Sequence, residues 1–207
     1  SIETLDGLIK HNGPRKNKIK YNKILGKNFF KQKINFNNSP SLEAQIASIS
    51  DDIAYNNHDL EDGLRAGLFS IKEISTIPYV AKLINNHAKN LKSFRKEIVI
   101  SQIIRDLINL MVLDVLETTS KNLKRIRPRS IESIYKQDRL IVDFSQKMKM
   151  FDKQMKDFLK TNMYNHQMVI ANTNKGKIII NALFKYLSKN SKKYINKELF
   201  KKEKKER

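Results

Sequence analysis

Three side chains with chemical capacity stand four residues apart: Asp51, Tyr55 and Asp59, inside the run SLEAQIASISDDIAYNNHDLEDGLRAGLF of residues 41–69. On an α-helix, residues four apart lie nearly above one another, so a carboxylate, a phenol and a second carboxylate form one stripe. Leu42, Ile46, Ile49, Ile53 and Ala54 supply apolar surface that can bury the same helix. Carboxylates on a buried helix are costly unless something cationic meets them. The cation is either a metal ion with a substrate beside it or the basic partner of a surface salt bridge. Spacing alone leaves both open, and structural ion pairs are the commoner.

The stripe needs a helix to carry it. Ser39 as N-cap and Pro40 at the first helical position predict a start there, with the helix running to about Asn57. A bend is expected at Asn56-Asn57, followed by a second helix over residues 59–67 with Leu60, Leu64 and Leu68 on its core side. Upstream, residues 4–11 read as a helix end stopped by Asn12-Gly13-Pro14. No acid occurs from residue 7 to residue 42; lysines are interleaved with Tyr21, Phe29, Phe30 and Phe36. Such a stretch suits stacked bases, but its lysines show no helical or strand period, so a solvated loop with aromatic plugs is expected.

Downstream, Ser70 with Glu73 forms a capping box and Pro78 starts another helix. Residues 91–122 give the longest helical pattern, apolar on more than one side around 103–116, and are expected to be the central buried helix. Arg105 within it is expected in an internal salt bridge. A basic connector, residues 121–129, leads to Ser130 with Ser133 and a partly extended stretch at 140–144. Amphipathic helices are then expected over 145–164 and 169–187, before a Lys-dense tail that frays. The fold class is all-α.

Composition narrows the function classes. The chain of 207 residues has no Cys, no Trp and a formal charge of +20, from 41 Lys and Arg against 21 Asp and Glu. A disulfide framework and a Cys-based zinc site are excluded, and a reducing, cytoplasmic setting is expected. No apolar run approaches the roughly 20 residues that span a membrane. The charge attracts polyanions in general, and a weak attraction for single-stranded nucleic acid is expected, although Lys dominates and no base-reading Arg cluster is evident. With no initiator Met and no signal peptide, the chain reads as if it begins inside a helix, so a truncated or split product is expected.

The run DDIAYNNHDLEDGLRAGLF closely resembles the HD-domain deoxynucleotide triphosphohydrolases, the dGTPase-like family; TLDGLIKHNGP at 4–14 and FLKTNMYNH at 158–166 are similar to its flanking and substrate-side segments. The resemblance implies the C-terminal part of an HD-domain helical fold, with residues 1–69 ending the HD domain, 70–190 a C-terminal helical region and 191–207 a basic tail. It implies Asp51 as the last ligand of a divalent metal such as Mg or Mn, with Asp52 structural. Tyr55 and Asp59 would touch the sugar or phosphates of a deoxynucleoside triphosphate, and Tyr164 and His166 would line the substrate side. Asn165 departs from the basic residue the family places between them, which weakens phosphate affinity.

The family holds its metal by a His, a His-Asp pair and a final Asp, and it hydrolyses dNTP to deoxynucleoside and triphosphate. His58-Asp59 follows Asp51 where the pair should precede it, and His11, His87 and His166 form no such pair. His58 is expected as a helix-terminal cap or hydrogen-bond partner. The chain is therefore expected to be inactive unless a separate N-terminal polypeptide completes it, and to form a homo-oligomer as the family does. Two alternatives stand: a basic helical nucleic-acid-binding protein, and a non-catalytic assembly module.

Overall fold

The computed structural model describes residues 2–11, 34–87, 89 and 93–194, and among them every regular element is a helix. The expected stop at 12–14, most of the aromatic and basic loop, and the tail from 195 lie outside the described residues. The chain divides into two units, Ser1–Leu159 and Lys160–Arg207.

The first unit contains α1 (Ile2–Ile9), α2 (Leu42–Arg65), α3 (Ile71–Ile74), α4 (Pro78–Asn86), α5 (Lys96–Ile126), α6 (Ile131–Tyr135) and α7 (Gln146–Leu159). Helix α2 is the axis. Its N-cap is Ser41, whose hydroxyl accepts from the Ala44 amide at 3.3 Å. Ser39 was expected in that place, but it is buried and drawn off by tertiary bonds. Its hydroxyl donates to the Gln137 carbonyl at 2.8 Å, and its amide donates to the Tyr135 carbonyl at 3.0 Å.

No bend occurs at Asn56-Asn57, and α2 runs unbroken through 24 residues. Asparagine disturbs a helix when its side chain competes for the backbone. Here both side chains are buried, and Asn57 bonds a backbone carbonyl one turn back in its own helix without breaking it, while its Oδ1 has no hydrogen-bond partner among the described residues. Asn57 Nδ2 donates to the Ile53 carbonyl at 2.7 Å and meets Met111 sulfur at 3.2 Å. Asn56 Nδ2 donates to Asp152 Oδ1 at 3.2 Å. The helix ends in a Schellman arrangement, with Leu68 N–H to Gly63 carbonyl (2.9 Å), Gly67 N–H to Leu64 carbonyl (3.3 Å), and Gly67 at φ 69°.

Ile53, Leu60 and Leu64 of α2 pack against the buried stripe Val99, Ile103, Ile104, Leu107, Met111 and Val115 of α5. Helices α4 and α7 add Val80, Ile84, Met148, Phe151 and Met155, and Tyr79 and Phe151 rings stand 5.1 Å apart. Two expectations for α5 are corrected. It is buried on one face only, because Ile98, Val112, Leu113 and Leu116 are exposed. Arg105 is exposed as well, and no internal salt bridge is needed there; its neighbour Asp106 pairs with His87 Nε2 at 2.8 Å. Asp114 is the acid that the core must satisfy. It accepts from the Ser145 amide (2.8 Å) and hydroxyl (2.6 Å) and so steadies the start of α7.

Residues 140–144 form no strand. Ile141 and Val142 are buried, and both of their amides donate to Gln45 Oε1, at 2.8 and 3.0 Å. The same carboxamide donates to the Pro40 carbonyl at 2.9 Å. A side chain of α2 thus replaces the strand partner that extended backbone requires.

Glu61 ties α2 to α5. Its Oε1 accepts from Arg65 Nε (3.1 Å), from an Arg65 terminal nitrogen (2.7 Å) and from the Ser101 hydroxyl (2.7 Å). Burial pushes the Glu61 carboxyl up, but the Arg65 and Ser101 bonds outweigh it and hold the group below its ordinary value of 4.5. A depressed folded value contributes stability above the unfolded value, and that stability is lost as pH falls through the folded one. Glu61→Gln is expected to cost about 1 kcal/mol near pH 7, with the difference from the parent chain closing in acid, once the depressed Glu61 carboxyl is protonated in the folded state. Urea denaturation near pH 7 and in acid measures it; a difference that stays constant would contradict the assignment.

In the second unit, residues Lys160–Tyr164 form a wide π turn, followed by α8 (Gln167–Lys189) and α9 (Ser191–Tyr194). The helix expected over 145–164 is therefore α-helical only to Leu159. His166 caps α8, its Nδ1 accepting from the Met168 amide at 3.3 Å.

Candidate functional site

The i, i+4, i+8 register holds along the unbroken α2, so Asp51, Tyr55 and Asp59 share one face of it. Asp51 and Tyr55 are exposed and Asp59 is half-buried. Asp51 Oδ2 stands 3.4 Å from His11 Nε2, just past the end of α1. Gly7 allows that approach: a Cβ there would stand 3.1 Å from Ala44 Cβ, so a larger residue would force α1 away from α2. His58, expected as a helix-terminal group, instead lies exposed in mid-helix.

A catalytic divalent ion needs three or more converging donors. His11 and Asp51 supply two, and among the described residues no group of three or more His, Cys, Asp or Glu could hold a metal. The described donors do not by themselves fit such an ion.

The neighbouring face of α2 is a charged network. Lys156 Nζ lies 3.3 Å from Asp52 and 2.9 Å from Asp152, and Asp152 also accepts from Asn56. Burial works to lower the Lys156 value, but Asp152 and Asp52 overcome it and hold the ammonium above its ordinary range. The same face opens into a cleft of about 240 Å³ lined by His11, Gln45, Asp52, Asp143, Lys149 and Asp152. Asp143 and Lys149 form an ion pair across its rim. The cleft takes Asp52 and not Asp51, Tyr55 or Asp59.

Tyr164 and His166 belong to the second unit. Tyr164 ends the π turn and is exposed. The cap bond occupies His166 Nδ1 and leaves Nε2 as the ring nitrogen it does not engage.

Sequence reasoning missed Lys156, Asp152, Asn56 and Gln45. The four-residue spacing of Asp152 and Lys156 is a helical ion-pair signature and was available. The Asn56–Asp152 and Gln45–Ile141 contacts join residues 96 apart and leave no local trace.

Comparison with known proteins defines the class. Residues 142–207 match the family described as Phosphohydrolase-associated domain. Over 196 residues the chain is 45% identical to the deoxyguanosinetriphosphate triphosphohydrolase-like protein of Pelagibacter ubique, covering 95% of this chain and 53% of that protein. It is 37% identical over 187 residues to the protein of the same name from Bartonella tribocorum, covering 88% and 46%. The like-named protein of Parvibaculum lavamentivorans is 34% identical over 189 residues, covering 89% and 48%.

The chain is thus a helical relative of the HD-type phosphohydrolases. More narrowly, it is related to the deoxyguanosinetriphosphate triphosphohydrolase-like proteins and spans about half the length of those it matches, consistent with a C-terminal portion. Among the described residues no helix is long and apolar enough to cross a membrane.

Proposed function

We propose that this chain contributes one wall of a deoxynucleoside triphosphate hydrolase that yields a deoxynucleoside and triphosphate. The observation that carries the reading is the shared acid–phenol–acid face of α2, exposed at Asp51 and Tyr55 and half-buried at Asp59, in a chain similar to proteins named for that activity. In this reading the Tyr55 ring packs on the deoxyribose and Asp59 accepts from its 3′ hydroxyl. Such a paired site rejects analogues that leave a buried polar group unmatched. Asp51, steadied by His11, is the metal-facing carboxylate. Tyr164 and His166 are proposed on the substrate side. The missing donors, a His and a His-Asp pair, come from sequence outside these 207 residues, and the chain alone is inactive.

The test is deoxynucleoside release from dGTP, followed by chromatography, for the chain alone and for the chain joined by the remaining half of a relative such as the Pelagibacter protein. No turnover alone, turnover in the completed protein, and a loss of at least a hundredfold with Asp51→Ala are expected. Full turnover by the completed Asp51→Ala variant would overturn the assignment.

A further inference from the structure

Two faces of α2 are taken within the first unit. Ile53, Leu60 and Leu64 pack on α5, while Asp52 and Asn56 meet Lys156 and Asp152 of α7. The remaining face is crossed by α1 at Gly7, where an added Cβ would stand 3.1 Å from Ala44 Cβ. Beside that crossing lies an open groove of about 410 Å³, lined by Gly7, Leu8, His11, Ala44 and Ala47 among others. The lining is mostly apolar, and Leu8 is 72% exposed. Small residues beside a large exposed apolar one leave room for the side-chain ridge of another helix.

The groove is in register with the acidic stripe. Ala47 precedes Asp51 by four residues, so it lies on the line that continues through Tyr55 and Asp59. Ser50 and Ala54 flank Asp51 and are exposed as well. His11 joins the two features, since it lines the groove and stands 3.4 Å from Asp51. A helix lying in the groove and following this face of α2 passes beside Asp51.

We infer that the groove between α1 and α2 is the docking site for a helix of the half that the relatives carry and this chain does not span. The chain covers 53% of the Pelagibacter protein and 46% of the Bartonella tribocorum one, so about half of each lies outside the aligned region. The inference rests on the proposed function, which brings metal donors to Asp51 from that sequence, and it names the surface by which they arrive. Two other occupants fit less well. Glu3 and Glu43 are the acids of the lining, and they repel a phosphate-bearing ligand. A second copy related by a two-fold axis would set this patch against itself. Glu3, Glu43 and Asp51 would then approach the same acids of the other copy, a like-charge juxtaposition that disfavours the pairing.

The chain has no cysteine, so single cysteines report on the groove directly. Leu8→Cys and Ala47→Cys are placed in the chain alone and in the chain joined to the remaining half of the Pelagibacter protein, with any cysteines of that half changed to serine. Labelling by N-ethylmaleimide is timed by mass spectrometry, relative to Lys124→Cys on the exposed last turn of α5. Both groove cysteines should label at least about tenfold more slowly in the completed protein, because a buried thiol reacts only when its site opens. Ala47→Glu should lower the melting temperature of the completed protein by several degrees, since it drives a carboxylate into an apolar contact. It should leave that of the chain alone unchanged, because Ala47 is exposed there. Equal labelling rates in the two proteins would overturn the inference. So would protection in the chain alone that deepens with protein concentration, which would put a second copy in the groove. Slow labelling without deoxynucleoside release would sink the hydrolase reading and leave the docking site standing; turnover with fast labelling would do the reverse.

Discussion

Gln45→Glu is expected to destabilise the first unit by about 3 kcal/mol near neutral pH, and to lose much of that penalty in acid. The native carboxamide is buried and makes three bonds of fixed polarity: two amides donate to its oxygen, and its nitrogen donates to the Pro40 carbonyl at 2.9 Å. A carboxylate keeps the first two bonds. Its second oxygen, however, meets the Pro40 carbonyl acceptor to acceptor, with a charge taken out of water. Protonation supplies the missing donor. The folded state therefore raises the introduced carboxyl above its unfolded value. Its favourable contribution is present below the unfolded value and is lost as pH rises through the folded one. Gln45→Leu separates this from simple loss of packing: it orphans the Ile141 and Val142 amides at every pH, at a similar cost and without the acid recovery. Urea unfolding of both variants and the parent at pH 4.5 and pH 7 makes the measurement. A Gln45→Glu penalty that does not shrink on acidification would mean the carboxamide is not read by the Pro40 carbonyl.

Local chemistry was legible where a signal and its partner lie within a few residues. Ser70 and Glu73 close a capping box, with Glu73 Oε2 accepting from the Ser70 amide at 2.8 Å, and Pro78 opens α4. Met148, Phe151 and Met155 face the core at helical spacing. The Asp51–Tyr55–Asp59 register was legible for the same reason, since it depends only on 3.6 residues per turn. What escaped the sequence depends on partners far along the chain. Ser39 and Ser41 flank the same proline, and only the Gln137 and Tyr135 carbonyls decide which of them caps α2. Asn56-Asn57 reads as a break until Asp152 and Met111 engage the two side chains. The apolar Val112, Leu113 and Leu116 look like core, yet α5 packs through its other face. His11 and Asp51 are 40 residues apart, so their approach at 3.4 Å had no local signature.

Gly63→Ala should destabilise the chain by about 2–3 kcal/mol, although alanine is the better helix former by about 1 kcal/mol. The opposing term is a collision. A Cβ at Gly63 would stand 2.3 Å from Phe69 Cζ and 2.4 Å from Cε1, well inside contact distance. The ring cannot simply swing aside. Phe69 is 5% exposed and stands edge-on to Phe158 with centroids 5.0 Å apart. Helix α2 must shift instead, four residues from Asp59, so the cost falls on the end of the acidic stripe. Phe69→Leu removes the colliding atoms and by itself should cost about 1.5 kcal/mol of packing. The double variant should therefore be more stable than the sum of the two single losses by at least about 1 kcal/mol. Chemical denaturation of the four proteins closes the cycle. Additive losses would show that the Phe69 ring does not set the requirement for glycine, and that α2 ends where it does through the Gly67 turn alone.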